Sequence, residues 1–438
     1  MNVFTQRRPR PASDDGQHHE GDETGSHTRA AVRSAAIPRE NGGYSPVPGI
    51  VALVAIYVIF SVLYPSMLHA YTLYSILLQL GSYGFVALGV VLILIIGEID
   101  LSIGSVAGLG SAIVGTLIVN DGMSWILAII IGLAAGVAVG AIQGLLVTKL
   151  QVPSFVITLG GLLAWEGVQL AILHDTTLNV PNKQLAAFGS QALIQSLSWI
   201  IGVAIVVILA AQRLLPLLGS KADRGLVIKR VVESVAFAVV ILGGIAVLGQ
   251  GQGVPLATWV YLALVGATGF VLQRTRAGRA VYAVGGSAEA ARRAGYNPTA
   301  IRIVVFALSG AFASLGGIYI LALGGTADTL TGTGDLVLVA IAAAVIGGCS
   351  LFGGRGSPWA APIGAGVLTT LIEGLNIANK GADLQLILEG LILVIAVAID
   401  SVMRRRIATR QGGDTARKRE TGGGGGLMKL FGGAGQNR

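Results

Sequence analysis

Two short polar clusters interrupt the long apolar stretches of this chain and carry most of its chemistry. The first is Gly97–Ser105 (GEIDLSIGS), where Glu98, Asp100 and Ser102 join two apolar segments without a basic residue between them. Charged groups beside lipid-facing sequence are costly unless they are hydrated, paired or used as caps. Two interpretations stay open. Either Asp100 or Ser102 caps the third apolar helix, or a broken helix exposes acids that line a polar pathway and accept hydrogen bonds from hydroxyl groups.

The second cluster lies on the fifth apolar segment. Lys149–Phe155 (KLQVPSF) leads into this segment, and Pro153 suits the first turn of its helix. Trp165, Glu166 and Gln169 place aromatic and polar groups within about one turn of that helix. A glutamate there is either paired structurally or part of a conduit, and both interpretations stay open. The predicted translocation pathway therefore consists of Glu98, Asp100, Ser102, Glu166 and Gln169.

A basic stretch at 283–300 (AVGGSAEAARRAGYNPTA) contains the start and stop signals of one short helix. The signals are an N-cap, an acid in the first turn, two bases in the last, a closing glycine and a proline: Ser287, Glu289, Arg292, Arg293, Gly295 and Pro298. Lipid does not hold so polar a helix, so we expect it in water at the membrane face. A rigid capped helix between two spans suits a lever that another protein pushes, and the alternative is a solvated helical loop.

Catalytic and nucleotide-binding motifs are absent from the sequence. It contains no GxxxxGK[ST], no HExxH and no GxSxG, and the Gly-rich run Gly347–Gly356 does not complete a phosphate loop. Cys349 is the single cysteine and the five histidines are scattered, so no thiolate cluster is available for a metal. We therefore expect no catalytic residue, no cofactor or metal site and no ATP binding by this chain itself.

The elements that position these clusters are apolar. Of 438 residues, 53% are hydrophobic and 12% charged, whereas soluble domains carry about 25% charged residues. Mean hydropathy is +0.75. The predicted fold is an all-α polytopic membrane protein of about 10–12 transmembrane helices, since twelve apolar segments occur and 336–346 is short for a crossing. They are Pro46–Tyr64, Leu73–Ile96, Leu101–Val119, Ser124–Val147, Ser154–Leu173, Leu197–Ala211, Val231–Leu248, Leu256–Leu272, Ile301–Leu323, Leu336–Ile346, Pro358–Leu375 and Leu384–Ile399.

The charges predict the orientation of these segments. When the N-terminus is placed in the cytoplasm, 28 of the 30 Lys and Arg residues fall on the cytoplasmic side, and only Lys183 and Lys380 fall outside. Both termini are therefore predicted to be cytoplasmic. The formal charge of +8 reflects this orientation and does not indicate a nucleic-acid partner.

Composition divides the chain into three parts. Residues 1–45 form a predicted disordered cytoplasmic N-tail, 46–403 the membrane domain with a cytoplasmic loop at about 273–300, and 404–438 a basic, Gly-rich cytoplasmic C-tail. In the fourth segment, Gly132, Gly136, Gly140 and Gly144 recur at every fourth residue. We interpret that stripe as helix packing inside one subunit.

Four motifs together resemble one protein family. GEIDLSIGS, KLQVPSFVITLGGLLAWEG, RAVYAVGGSAEAARRAGYNP and GGCSLFGGRGSPWAAPIGAGVL follow one another in the order seen in bacterial ABC-transporter permeases for simple sugars such as ribose, xylose and galactose. The resemblance covers about 50–406 and is greatest to D-xylose permeases, including an inserted pair of segments between about 197 and 248. The stretch Gly324–Asp335 does not match the family residue by residue.

The resemblance implies a non-enzymatic permease of a monosaccharide importer in the bacterial inner membrane, working by alternating access. It implies a homodimer, cytoplasmic ATPase subunits that bind the ATP, and a periplasmic or lipid-anchored sugar-binding protein. The coupling helix it implies includes Ser287, Glu289, Ala290, Ala291, Arg292 and Gly295. The alternatives are a branched-chain amino-acid ABC permease and an ion-coupled transporter. The proton relays of the latter would be Glu98, Asp100, Glu166, Glu373 and Glu389.

Overall fold

The computed structural model describes residues 44–218, 224–398 and 400–401. The two predicted tails, 1–45 and 404–438, lie outside the described residues apart from Tyr44 and Ser45, so their predicted disorder stays a prediction.

The described chain is almost entirely helical, because each of the twelve apolar segments forms a helix. Its elements in chain order are α1 (Val47–Leu63), a 3-10 turn (Pro65–Leu68), α2 (Ala70–Ile95), α3 (Ile103–Val119), α4 (Trp125–Leu150), α5 (Ser154–Leu173), β1 (Leu178–Asn179), α6 (Lys183–Ser190), α7 (Gln195–Leu218), α8 (Arg224–Leu248), α9 (Leu256–Arg274), α10 (Arg276–Gly286), α11 (Ala288–Arg293), α12 (Pro298–Gly324), β2 (Thr326–Ala327), α13 (Leu336–Ile346), α14 (Ala360–Ile377) and α15 (382–398).

Helix length divides the apolar helices into two groups. Within the described residues, eight helices are long and apolar enough to cross a membrane: α2, α4, α5, α7, α8, α9, α12 and α14. Three further apolar helices, α1, α3 and α13, are shorter. The 11 residues of α13 extend over about 16 Å, roughly half the thickness of the hydrocarbon core. The prediction of an all-α polytopic membrane protein is confirmed, while the orientation of the termini stays a prediction.

Burial distinguishes a central group of helices from a peripheral pair. In α2 and α14, 72% of the apolar window is buried, and α12 packs against α2, α3 and α4. The inserted helices α7 and α8 pack mainly on each other, with 11% of each window buried. The centre of the molecule is therefore built from α2, α3, α12, α13 and α14.

The glycine stripe of α4 packs against α12, as predicted for contacts inside one subunit. A Cβ at Gly136 would lie 2.4 Å from the carbonyl oxygen of Gly310, and one at Gly140 would lie 2.1 Å from that of Phe306. Any side chain would push the helices apart, so glycine sets their separation.

The described residues contain one small sheet. β1 pairs antiparallel with β2 and aligns Leu178 with Ala327, and the Val180 N–H donates to the carbonyl oxygen of Gly325 at 2.8 Å. This pairing fastens the segment after α5 to the segment after α12. The second of these segments leads directly into the candidate site.

Candidate functional site

The segment between α2 and α3 is non-helical. Gly97, just after α2, has a φ of +77°, and the Glu98 N–H donates back to the carbonyl oxygen of Ile93 at 3.2 Å. The Ile99 and Leu101 N–H groups donate to the hydroxyls of Ser154 (3.0 Å) and Thr158 (3.1 Å) on α5. Side chains of α5 thereby supply the backbone hydrogen bonds that a helix would otherwise provide.

Asp100 and Ser102 do not cap α3 in the predicted way. Ser102 is the N-cap residue, yet its hydroxyl donates to Asp100 Oδ1 at 2.6 Å and makes no capping bond. Asp100 Oδ1 also accepts the Ser102 N–H at 2.9 Å, so the carboxylate closes a tight turn before the helix. The capping interpretation is therefore wrong in its geometry, because the available hydroxyl is committed to the acid.

Gln143 of α4 completes this network and was not predicted. Its Nε2 donates to the Ser102 hydroxyl at 2.7 Å, and both side chains are buried. The signal was a single amide among 26 otherwise mostly apolar residues, adjacent to the packed Gly144. Asp100 thus stands at the end of a hydrogen-bond chain that begins on α4.

Glu98 lies elsewhere and is paired. Arg302 Nε, on the first turns of α12, lies 2.9 Å from the Glu98 carboxylate, and both side chains are partly exposed. No basic residue lies within the GEIDLSIGS run, so the neutralising cation comes from a distant part of the sequence. Glu98 therefore lies where the segment meets α12, whereas Asp100 lies in its buried part.

Glu166 lines a cavity of about 260 Å³ between α3, α5 and α13. The walls include Leu101, Ser105, Leu162, Glu166, Thr333 and Val337. The structure therefore brings Glu166 close to the non-helical segment through Leu101. Asp100 lines a separate, mostly apolar cavity of about 140 Å³.

Gln169 is fully buried and holds the loop that follows β2. Its Nε2 lies 3.0 Å from the carbonyl oxygen of Asp328, 3.2 Å from that of Thr329 and 3.1 Å from that of Thr331, and donates to this group of carbonyls. The loop belongs to the stretch Gly324–Asp335 that did not match the family by sequence. Gln169 thus positions the cavity wall and does not line the cavity.

The remaining membrane acids have separate partners. Glu373 accepts from Gln79 Nε2 at 2.8 Å, and Glu389 accepts from Gln385 Nε2 at 2.9 Å. Among the described residues, no hydrogen bond joins any two of the five acids considered as proton relays, and no group of three His, Cys, Asp or Glu could hold a metal ion.

The predicted short helix is present as α11. Ser287 Oγ accepts the Ala290 N–H at 3.2 Å, and Glu289 pairs with Arg293. At its end the N–H of Gly295, with φ +87°, donates to Arg292 and that of Tyr296 donates to Ala291, which is a Schellman motif. Asn297 then caps α12, in which Pro298 is the first residue.

Most residues of α11 are exposed in the part of the chain that the structure describes. Ala291 is 2% exposed, whereas Glu289, Ala290, Arg292 and Gly295 are exposed. The structure therefore presents most of the predicted coupling residues to solvent, with Ala291 as the anchor. Their proposed role in coupling stays a prediction.

A glycine contact joins this region to the candidate segment. A Cβ at Gly285, near the end of α10, would lie 1.9 Å from the carbonyl oxygen of Ile95. The Gly354 N–H donates to the same oxygen at 2.9 Å, and Gly353 packs on Gly97. Helix α10 therefore touches the end of α2 two residues before the N-cap of α11.

Comparison with known proteins gives a family and several relatives. A family described as branched-chain amino acid transport system / permease component matches residues 72–397. The xylose transport system permease protein XylH of Escherichia coli (strain K12) is 33% identical over 339 residues, covering 76% of this chain and 85% of the relative. The XylH protein of Haemophilus influenzae is 31% identical over 82% of this chain and 96% of the relative.

A third relative has a different named sugar. The ribose import permease protein RbsC of Escherichia coli (strain K12) is 30% identical over 352 residues, covering 80% of this chain and 92% of the relative. No solved structure matches the chain.

Proposed function

We propose that this chain, which belongs to the family of branched-chain amino acid transport system permease components, is the permease subunit of an ATP-driven importer of simple sugars. The names of the relatives, xylose and ribose permeases, support a monosaccharide as the cargo, and we propose D-xylose or a related sugar. The importer is proposed to sit in the bacterial inner membrane as a homodimer. Its proposed partners are a cytoplasmic ATPase and a periplasmic or lipid-anchored sugar-binding protein.

The observation that carries the proposal is the exposed, doubly capped helix α11 between α10 and α12. Its termini are fixed by Ser287 and Gly295, so it transmits a displacement as a rigid body. Gly285 contacts the end of α2 at Ile95, where the segment 96–102 begins. Closure of the ATPases on α11 is therefore proposed to move this segment and alternate the access of the pathway.

A bulky residue on the exposed face of α11 tests the docking. We expect Ala290→Trp, at an exposed position, to reduce co-purification of the ATPase and to abolish sugar-stimulated ATP hydrolysis, while the permease still inserts. The matched control for ATPase co-purification is Ala186→Trp, an exposed alanine on the short helix α6. Wild-type ATPase recovery and stimulation in Ala290→Trp would contradict the assignment of α11.

Two further substitutions perturb α11 by different routes. Glu289→Ala removes the exposed pair with Arg293, and Gly295→Pro replaces a residue with φ +87° by one restricted to about −65°. Both should lower sugar-stimulated ATP hydrolysis without preventing membrane insertion. The purified chain alone should hydrolyse no ATP above background. If both variants kept wild-type uptake and hydrolysis, the coupling role of α11 would be wrong.

A branched-chain amino acid is the second candidate cargo, because the family description names that class. Uptake into proteoliposomes that contain the assembled importer decides between the two classes. We expect radiolabelled D-xylose or D-ribose to accumulate with ATP and L-leucine not to accumulate. Accumulation of L-leucine alone would replace the sugar assignment.

A further inference from the structure

The cavity beside Glu166 has a composition that identifies a class of ligand. We propose that it is a contact site for the hydroxyl groups of a single monosaccharide, formed by Ser105, Glu166 and Thr333. This inference rests on the proposed function and adds to it a location and three contact residues within the permease.

Both side-chain hydroxyl groups of this cavity donate their hydrogen to a main-chain carbonyl. Ser105 Oγ donates to the carbonyl oxygen of Ser102, and Thr333 Oγ1 donates to that of Leu330, both at 2.8 Å. A hydroxyl has one hydrogen and two lone pairs, so each retains only acceptor capacity toward the cavity. The polar side chains at this wall therefore accept hydrogen bonds.

Glu166 adds a stronger acceptor. Within the part of the chain that the structure describes, its carboxylate has no hydrogen bond and no ion pair with protein, although Glu166 is partly buried. A carboxylate that lacks a protein donor at a cavity is suited to a ligand that brings donors. Sugar hydroxyls meet this need at every position. The ammonium group of an amino acid would also meet Glu166, but its carboxylate would find no side-chain donor among Ser105, Glu166 and Thr333.

The size and remaining surface of the cavity fit one sugar ring. About 260 Å³ lies just below the roughly 300–1,000 Å³ typical of pockets for drug-sized ligands. Leu101, Leu162 and Val337 supply an apolar wall, which complements the C–H faces of a pyranose. The ligand is therefore a small molecule with hydroxyls on its edges and apolar faces.

The wall that carries Thr333 is held in place before any ligand arrives. Gly332 and Gly334 adopt φ values of +84° and +71°, and a Cβ at Gly332 would lie 2.0 Å from the carbonyl oxygen of Gly104. Gln169 binds the same loop through main-chain carbonyls. Gln169 is accordingly a positioning residue, and the cavity is preorganised for its ligand.

Protection of an introduced thiol tests occupancy without relying on transport rate. In a Cys349→Ser background, Thr333→Cys is placed in the assembled importer with its ATPase and binding protein and treated with a small methanethiosulfonate reagent. We expect D-xylose or D-ribose to slow modification about tenfold, and L-leucine to have no effect. Thr176→Cys is the matched control, since Thr176 is exposed and its hydroxyl also donates to a carbonyl three residues earlier, that of Leu173.

Two Glu→Gln variants, one at Glu166 and one at a control position, measure the contribution of the Glu166 charge. Glu166→Gln should lower uptake about tenfold, because a neutral acceptor replaces a charged one. Protection of the thiol at position 333 by sugar should weaken in the same variant. Glu233→Gln on α8, far along the chain from the cavity residues, should match the wild type in both assays.

The outcomes separate this site from the proposed function. If the wild type takes up sugar but neither sugar protects the thiol introduced at position 333 and Glu166→Gln is normal, the site is wrong and the sugar permease stands. Protection by L-leucine instead of sugar overturns the ligand class. A wild-type importer that moves neither sugar contradicts the proposed function and this site together.

Discussion

At the scale of single residues, local spacing predicted the chemistry of the candidate site but not its partners. Glu98, Asp100 and Ser102 stand out in the sequence because acids are expensive beside apolar segments. Arg302 and Gln143 were missed because they meet these residues only after α12 and α4 have packed. Pairing of this kind depends on tertiary contacts that no sequence window contains.

The turn at Asp100 gives the residue-scale prediction. Asp100→Asn keeps an oxygen in the position of Oδ1 and should leave thermal stability nearly unchanged. Asp100→Ala leaves the buried Ser102 N–H without an acceptor and should lower the free energy of unfolding by about 1–3 kcal/mol. Thermal unfolding of the purified protein in detergent, followed by tryptophan fluorescence, measures both variants.

Transport by the same variants tests the role of the charge. If the Asp100 carboxylate lies on the pathway, Asp100→Asn and Glu98→Gln should reduce uptake while expression and assembly stay normal. Equal unfolding curves for Asp100→Asn and Asp100→Ala would contradict the hydrogen-bonding role. Wild-type uptake in both charge-removing variants would take these two acids off the pathway.

At the scale of elements, apolar runs predicted helices well because membrane helices satisfy their backbone internally. Ser154–Leu173 and Leu336–Ile346 have the predicted bounds, and the capped helix α11 has its predicted start and end. Helix α10 was missed because it is amphipathic and short, although Ala280, Val281 and Val284 form its buried face. The loop after β2 escaped prediction because its glycines allow backbone conformations that composition does not specify.

The contact between α10 and α2 gives the element-scale prediction. Gly285→Ala would place a Cβ 1.9 Å from the Ile95 carbonyl oxygen, so we expect the helices to separate and stability to fall by about 1–3 kcal/mol. Sugar-stimulated ATP hydrolysis should become uncoupled from uptake. The measurements are thermal unfolding and the ratio of sugar moved to ATP hydrolysed in proteoliposomes.

The adjacent glycine supplies the control for this contact. A Cβ at Gly286 meets nothing within 4 Å, so Gly286→Ala should retain wild-type stability and coupling. If Gly285→Ala behaved like Gly286→Ala in both measurements, the contact between Gly285 and Ile95 would neither stabilise the protein nor couple α11 to the segment 96–102.

At the scale of the whole molecule, charge placement predicts an orientation that the arrangement of helices does not itself reveal. Twenty-eight of 30 Lys and Arg residues fall on one side when the twelve apolar segments are threaded in order. The positive-inside rule then places both termini and α11 in the cytoplasm and α6 outside. The binding protein and the ATPase would consequently meet opposite faces of the permease.

Impermeant thiol labelling of intact cells tests this orientation. The native thiol offers little background, because burial raises the pKa of Cys349 to about 12, and the tests use a Cys349→Ser background. Ser190→Cys, at an exposed position at the end of α6, should react from outside. Ser26→Cys and Ser401→Cys should react only after the membrane is made permeable. Two outcomes would reverse the orientation and remove α11 from reach of a cytoplasmic ATPase. One is labelling of position 26 or 401 in intact cells. The other is that position 190 reacts only after the membrane is made permeable.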